Sequence, residues 1–171
     1  AMDALVWWVL RSHPVMMITP DRFVDDDGTM ADIGSLSQGN PTREKMTAVF
    51  SAEELPLLRS GELAVYIPHL NGEGYRIYFN YALIGSAGDI TDGKSNIWNS
   101  SFLFTVDQML IKPNNYLTIE VFHQYEYGMA GRPVILAEPA VARRVDALDH
   151  LASSGLTQVG IGIAFAGCIL I

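Results

Sequence analysis

Glu62-Leu-Ala-Val-Tyr-Ile-Pro68, followed by Gly74-Tyr-Arg-Ile-Tyr-Phe-Asn80, decides the fold class. In the first run Leu63, Val65 and Ile67 alternate with Glu62, Ala64 and Tyr66; in the second Tyr75, Ile77 and Phe79 alternate with Arg76, Tyr78 and Asn80. A strand sends successive side chains to opposite faces, so this period of two marks strands with one apolar side. Asn71-Gly-Glu-Gly74 lies between the runs, and a glycine-rich loop between two alternating runs predicts a hairpin. Toward the C-terminus, Phe102, Phe104 and Val106 share one face opposite Ser101, Leu103 and Thr105. From Tyr116 to Tyr125, Leu117, Ile119 and Val121 oppose Thr118 and Glu120, after the turn-forming Lys112-Pro-Asn-Asn115. Val134–Ala137 supplies one more short strand. Such runs with regularly spaced turn signals predict a mainly β chain, an antiparallel jelly-roll or β-sandwich.

On the N-terminal side the pattern thins. Met46–Phe50 is apolar, and Ser51-Ala-Glu-Glu54 has the spacing of a capping box for a short helical turn. Pro20 to Arg43 is rich in Asp, Gly, Ser, Asn and Pro and reads as irregular. Ser12-His-Pro14 separates two apolar runs, Ala4–Leu10 and Val15–Thr19. Leu5–Leu10 lacks the cationic start and cleavage site of a signal peptide and is read as a buried strand.

On the C-terminal side, Val141, Val145, Leu148 and Leu151 fall on one helical face, which predicts a linker helix over 141–155. From Leu156 to Ile171 only Thr157 and Gln158 are polar. The run is shorter than the roughly 20 residues of a full span. Gly160, Gly162 and Gly167 suit a membrane helix better than a strand, so 156–171 is read as the start of a transmembrane segment. The competing reading is a buried C-terminal strand. Residues 1–140 then form the sandwich domain.

Composition narrows the function. The chain has 171 residues, 49% of them hydrophobic, enough for one domain with a real core. A net charge of −8 with eleven Lys and Arg excludes a nucleic-acid partner, which needs clustered cations; only Arg143-Arg144 form a pair. Cys168 is the single cysteine, so neither an intrachain disulfide nor a cysteine metal site forms.

Three segments resemble one family of domains: Leu63-Ala-Val-Tyr-Ile-Pro68, Tyr75-Arg-Ile-Tyr-Phe-Asn-Tyr-Ala-Leu-Ile84 and Leu110-Ile-Lys-Pro-Asn-Asn-Tyr-Leu-Thr-Ile-Glu-Val121. They are similar to the extracytoplasmic galactose-binding-like jelly roll that precedes seven-helix membrane regions in bacterial signalling receptors. The resemblance covers about residues 45–140. It implies a sensor domain outside the cytoplasm, held at the cell membrane through the C-terminal segment. It further implies a diguanylate cyclase or histidine kinase output and a homodimer. Two positions depart from the pattern. Tyr81 stands where a turn glycine is common and implies a different turn, and Asn114 or Asn115 replaces a glycine, which asparagine's tolerance of left-handed backbone excuses.

The residues that suit a ligand are Trp98, His123, Tyr125, Glu126, Tyr127 and Arg132. Trp98 follows a glycine-rich loop, and Tyr125–Arg132 joins two predicted strands; aromatic faces with a few directed polar groups fit sugars or other small polar molecules. His123 shares the face of Leu117, Ile119 and Val121 and is expected to be half-buried. Asp25-Asp-Asp-Gly28 and the Asp89, Asp92, Asn96 set lack the alternating ligands of a calcium loop and read as solvated. There is no Gly-x-Ser-x-Gly elbow and no distinctive carboxylate pair. The expectation is therefore a binding domain, with no cofactor or metal, that takes a small molecule or carbohydrate. The rival readings are a carbohydrate-binding module of a secreted glycoside hydrolase and a complete soluble enzyme.

Overall fold

A computed structural model describes residues 2–30, 42–89, 95, 97–123 and 132–151. Helix α1 (Met2–Ser12) precedes strands β1 (Met16–Ile18), β2 (Phe23–Asp25), β3 (Thr42–Ser51), β4 (Glu62–Gly72) and β5 (Gly74–Phe79). Strands β6 (Ala82–Gly88), β7 (Ile97–Asp107), β8 (Asn114–His123) and β9 (Val134–Ala137) follow, then helix α2 (Pro139–His150). All pairing is antiparallel, in a four-stranded sheet ordered β1-β9-β4-β7 and a five-stranded sheet ordered β2-β3-β8-β5-β6. Among the described residues this is a mainly β, two-sheet sandwich with one short helix before the strands and one after them.

The hairpin expected between the first two quoted runs does not form. β4 pairs with β7 and β9, whereas β5 pairs with β6 and β8, so the chain changes sheets at Gly72-Glu73-Gly74. The Glu73 N–H already donates to the Phe122 carbonyl of the other sheet at 3.1 Å. A Cβ on Gly72 would lie 2.6 Å from the Tyr75 hydroxyl, so a residue without one is needed there. The reason for the change of sheet is burial. Leu63, Val65 and Ile67 enter the core between the sheets, and Ala64 and Tyr66, on the alternate face, are also buried. A strand covered on both sides belongs inside a covered sheet, not in a two-stranded ribbon.

What covers the second face is helical. α1 and α2 pack on one another and on the outer side of the four-stranded sheet, where Val9, Leu10, Val141, Ala142 and Val145 join Ala64, Tyr66, Ile135 and Ala137. The reading of Leu5–Leu10 as a strand is thereby corrected. Val6, Val9 and Leu10 have the spacing of one helical face, and short apolar runs do not reveal their period. The His13 ring lies 3.0 Å from the Val9 carbonyl, at the end of α1. Where the sequence predicts a linker helix over 141–155, helix α2 spans Pro139–His150, with Pro139 in its first turn and Val141 and Val145 buried against the sheet. Residues 152–171, which hold the end of that predicted helix and the whole of the transmembrane reading over 156–171, lie outside the described residues. Among the described residues no helix is long and apolar enough to cross a membrane.

Pro20–Arg43 also holds a strand that its composition hides. Phe23 is fully buried and β2 pairs with β3, but three residues are too few to show a period. At Ser51 the expected capping arrangement forms, its N–H donating to Glu54 Oε1 at 2.9 Å.

Hairpin β5–β6 closes in a tight turn. Asn80 and Tyr81 join the strands with φ of 48° and 71°, the left-handed pair that a two-residue type I′ turn requires. Tyr81 thus holds a left-handed position that a glycine would adopt without strain. Asn80 anchors the turn: Nδ2 donates to the Leu110 carbonyl at 2.7 Å and to Asn115 Oδ1 at 2.8 Å, and Oδ1 accepts from the Tyr116 N–H at 2.8 Å. Asn115 closes the Lys112 turn in both directions, accepting from the Lys112 N–H and donating to its carbonyl. The two asparagines are structural links of the sandwich edge.

His123 ends β8 on the inner face, as its phase predicts, but it is buried at 3% exposure rather than half-buried. Its Nε2 lies 4.0 Å from Glu44 Oε1, and loss of solvation holds the imidazole below its usual pKa.

Two predictions follow from these contacts. Asn80→Ala strands buried partners and lowers stability in urea unfolding by about 3 kcal/mol, whereas Tyr81→Gly, which relieves left-handed backbone, changes it by less than about 1 kcal/mol. Burial makes folded His123 take up its proton at lower pH than the unfolded chain, which does so near pH 6.5, so its contribution is complete above that pH. That contribution is lost as pH falls below 6.5, by at most about 1.4 kcal/mol per pH unit. Urea titrations from pH 7.5 to pH 5 should show this slope, and His123→Leu should flatten it.

Candidate ligand-binding surface

Strands β3, β8 and β5 lie side by side in the five-stranded sheet, and residues out of phase with the core project from its other face. The register stacks them in rungs. Lys45, Glu120 and Arg76 form one, Thr47, Thr118 and Tyr78 the next, and Val49 pairs with Tyr116 beyond them. The Asn80–Tyr81 turn delivers a further ring, 80% exposed, whose centroid sits 5.8 Å from that of Tyr116. Thr47 and Thr118 share a hydroxyl–hydroxyl bond of 3.0 Å. The Tyr78 hydroxyl donates to Glu120 Oε2 at 3.2 Å, and Arg76 Nη1 lies 3.9 Å from the same oxygen. Tyr78, Tyr81, Tyr116, the two threonines, Lys45 and Asp26 line an open hollow of about 390 Å³.

A more polar hollow of about 420 Å³ adjoins it, lined by Asp25, Asp26, Asp27, Arg43, Glu44, Lys45 and Glu120. Partial burial, and then the Asp25 and Asp26 charges, raise the Glu44 carboxyl above its ordinary pKa. Asp27 is committed to its own turn, Oδ1 accepting from the Thr29 N–H and hydroxyl, which lowers its pKa. Among the described residues no group of His, Cys, Asp and Glu is placed to hold a metal ion.

The residues singled out from the sequence are not gathered at this surface. Trp98 belongs to β7, with its side chain outside the description, and Tyr125, Glu126 and Tyr127 lie outside the described residues. His123 points into the sandwich. Arg132 precedes β9 on the far side of the molecule, where Nη1 donates to Asp149 Oδ1 at 2.8 Å beside a groove of about 180 Å³ that Trp7 and Tyr66 help line. The Tyr66 hydroxyl donates to the same carboxylate at 3.1 Å; burial and then the Asp149 charge raise its pKa.

Ser101, His150 and Asp146 do converge. Ser101 Oγ donates to Asp146 Oδ1 at 3.0 Å and lies 3.1 Å from His150 Nε2, while that same nitrogen is 3.4 Å from Asp146. A relay requires the carboxylate on one ring nitrogen and the hydroxyl on the other. Here both fall on Nε2, and the cluster fastens α2 to β7.

The tyrosine surface escaped the sequence reading because its parts are 71 residues apart at Thr47 and Thr118. Only the strand register brings them together. The available signal was that the polar-facing positions of β5 and β8 carry Tyr and Thr, in Tyr78, Tyr116 and Thr118.

No family model and no curated protein matches the chain. Solved structures similar to it include an FMN-binding β-glucuronidase from Facaelibacterium prausnitzii L2-6, at 14% identity and a TM-score of 0.50, with 74% of this chain and 23% of that one covered. A family 35 carbohydrate binding module from Clostridium thermocellum has 12% identity and a TM-score of 0.40, covering 72% of this chain and 98% of the module. The PA14 sugar-binding domain from an RTX adhesin has 14% identity and a TM-score of 0.38, covering 80% and 78%. The chain spans about a quarter of the β-glucuronidase's length. At such identities, what the glucuronidase and this chain share is the β-sandwich fold.

Proposed function

We propose that this chain is a carbohydrate-binding domain that takes neutral glycans on the open face of its five-stranded sheet. The observation that carries the reading is the hollow with Tyr81 and Tyr116 at its edge and Thr47, Thr118 and Tyr78 on its floor. The C–H faces of a sugar ring pack on aromatic rings, and its hydroxyls need donors and acceptors at fixed positions. Threonine and tyrosine hydroxyls, the Lys45 ammonium and the Glu120 carboxylate supply both kinds at this face. Lys45 and Arg76 balance Asp26 and Glu120 there, and the net charge of −8 repels polyanionic glycans. The domain binds sugar and leaves chemistry to other domains, as an accessory module of a larger glycan-acting protein would.

A second reading places the same ligand-binding domain outside the cytoplasm as the sensor of a membrane-bound signalling protein. It is favoured by the uncharged run Val159–Ile171 that follows α2 in the sequence. Both readings require the sugar site; they differ in what is attached to it.

Calorimetric titration with neutral oligosaccharides of β-glucan, xylan and galactan, set against a uronic-acid oligomer, tests the proposal. The neutral series is expected to supply the ligand. Each of the two rings contributes about 1 kcal/mol, so Tyr81→Ala with Tyr116→Ala weakens binding roughly thirty-fold while the circular dichroism spectrum is unchanged. Absence of binding across the neutral series, or full affinity in the double variant, overturns the assignment.

A further inference from the structure

On the opposite side of the sandwich, we infer that the helical layer is a lipid-contact surface that seats Trp7 and Trp8 in the headgroup region of an anionic bilayer. Burial of Val9 and Leu10 fixes the rotation of α1, and that rotation leaves Trp7 50% and Trp8 64% exposed, side by side. An indole joins a large apolar body to one N–H donor, a combination favoured where hydrocarbon meets water.

The charges on this layer point the same way. The acids of α2 turn inward: Asp146 meets Ser101 and His150, and Asp149 meets Tyr66 and Arg132. Glu138, at the start of α2, accepts from the backbone of Arg59 and Ser60. Arg11, Arg143 and Arg144 are all exposed on the two helices. A chain with nineteen acids and eleven Lys and Arg thus presents three exposed arginines on the helical layer that carries the exposed Trp7 and Trp8. Arginines near a surface are attracted to anionic lipid. The sequence after α2 then leads into the uncharged run Val159–Ile171. α2 packs directly on α1, so its exposed arginines belong to the same helical layer as the indoles. The inference is independent of the sugar site, which occupies the far sheet.

The full chain carrying Trp98→Phe emits only from Trp7 and Trp8, because the sequence has three tryptophans. It is mixed with vesicles of phosphatidylcholine and phosphatidylglycerol at four to one, with plain or brominated acyl chains. The expected result is a blue shift of the emission on plain vesicles and its quenching by at least half on brominated ones. Arg143→Gln and Arg144→Gln should each weaken vesicle partitioning about fivefold. Should Trp98→Phe fail to fold, the difference in quenching between the parent and the Trp7→Phe, Trp8→Phe double variant gives the same answer. Three results overturn the inference. One is no sedimentation with vesicles. Another is sedimentation without quenching, which leaves the uncharged run as sole anchor. The third is an emission already blue without lipid together with a doubled mass in sedimentation velocity, which assigns the face to a second copy.

Discussion

Leu63, Val65 and Ile67 press into the space between the sheets, while Ala64 and Tyr66, one residue out of phase, press against two helices. β4 therefore has no wet face, and three layers of the molecule meet along it. The requirement that both sides be covered sets the rest. β5 must leave for the other sheet, α1 and α2 must lie over the outer face, and the edges fall to the three-residue β1 and to β7. At about 25 cal/mol per Å² of apolar surface removed from water, a strand buried on both sides stabilises far more per residue than a half-wet one.

This layering separates two surfaces of different chemistry. The five-stranded sheet is covered on its inner side only, so its other face is free to carry hydroxyls, rings and balanced charge. The four-stranded sheet is sealed beneath helices whose outward residues include two indoles and three arginines. The sandwich holds these surfaces back to back, so contact at one leaves the other uncovered.

Much of the fold was legible because period-two patterning depends on burial alone. β7, β8 and β9 and the buried phase of β4 and β5 all lie where the alternation places them. Pairing was not legible, since Asn71–Gly74 has the composition of a hairpin loop whether the next strand joins the same sheet or crosses to the other. α1 was misread because six apolar residues in a row satisfy a helix and a strand equally. The candidate surface was the least visible. Tyr78 and Tyr116 draw no attention singly, Tyr81 stands out only as an unusual turn residue, and the three acquire meaning when Thr118 is known to sit between Thr47 and Tyr78. Of the residues that the sequence did suggest, Arg132 and His123 occupy opposite sheets' surroundings, one bonded to α2 and the other sealed inside.

The turn at Asn80-Tyr81 has a mechanical meaning as well. Its left-handed backbone is locked to β8 through the Asn80 amide, so the Tyr81 ring stands on a rigid post although its surface is open to water. A ring already held in place surrenders little freedom when something settles on it. The strain stored in that φ is thus repaid as readiness, and a looser glycine-tipped hairpin would present a softer, less selective edge.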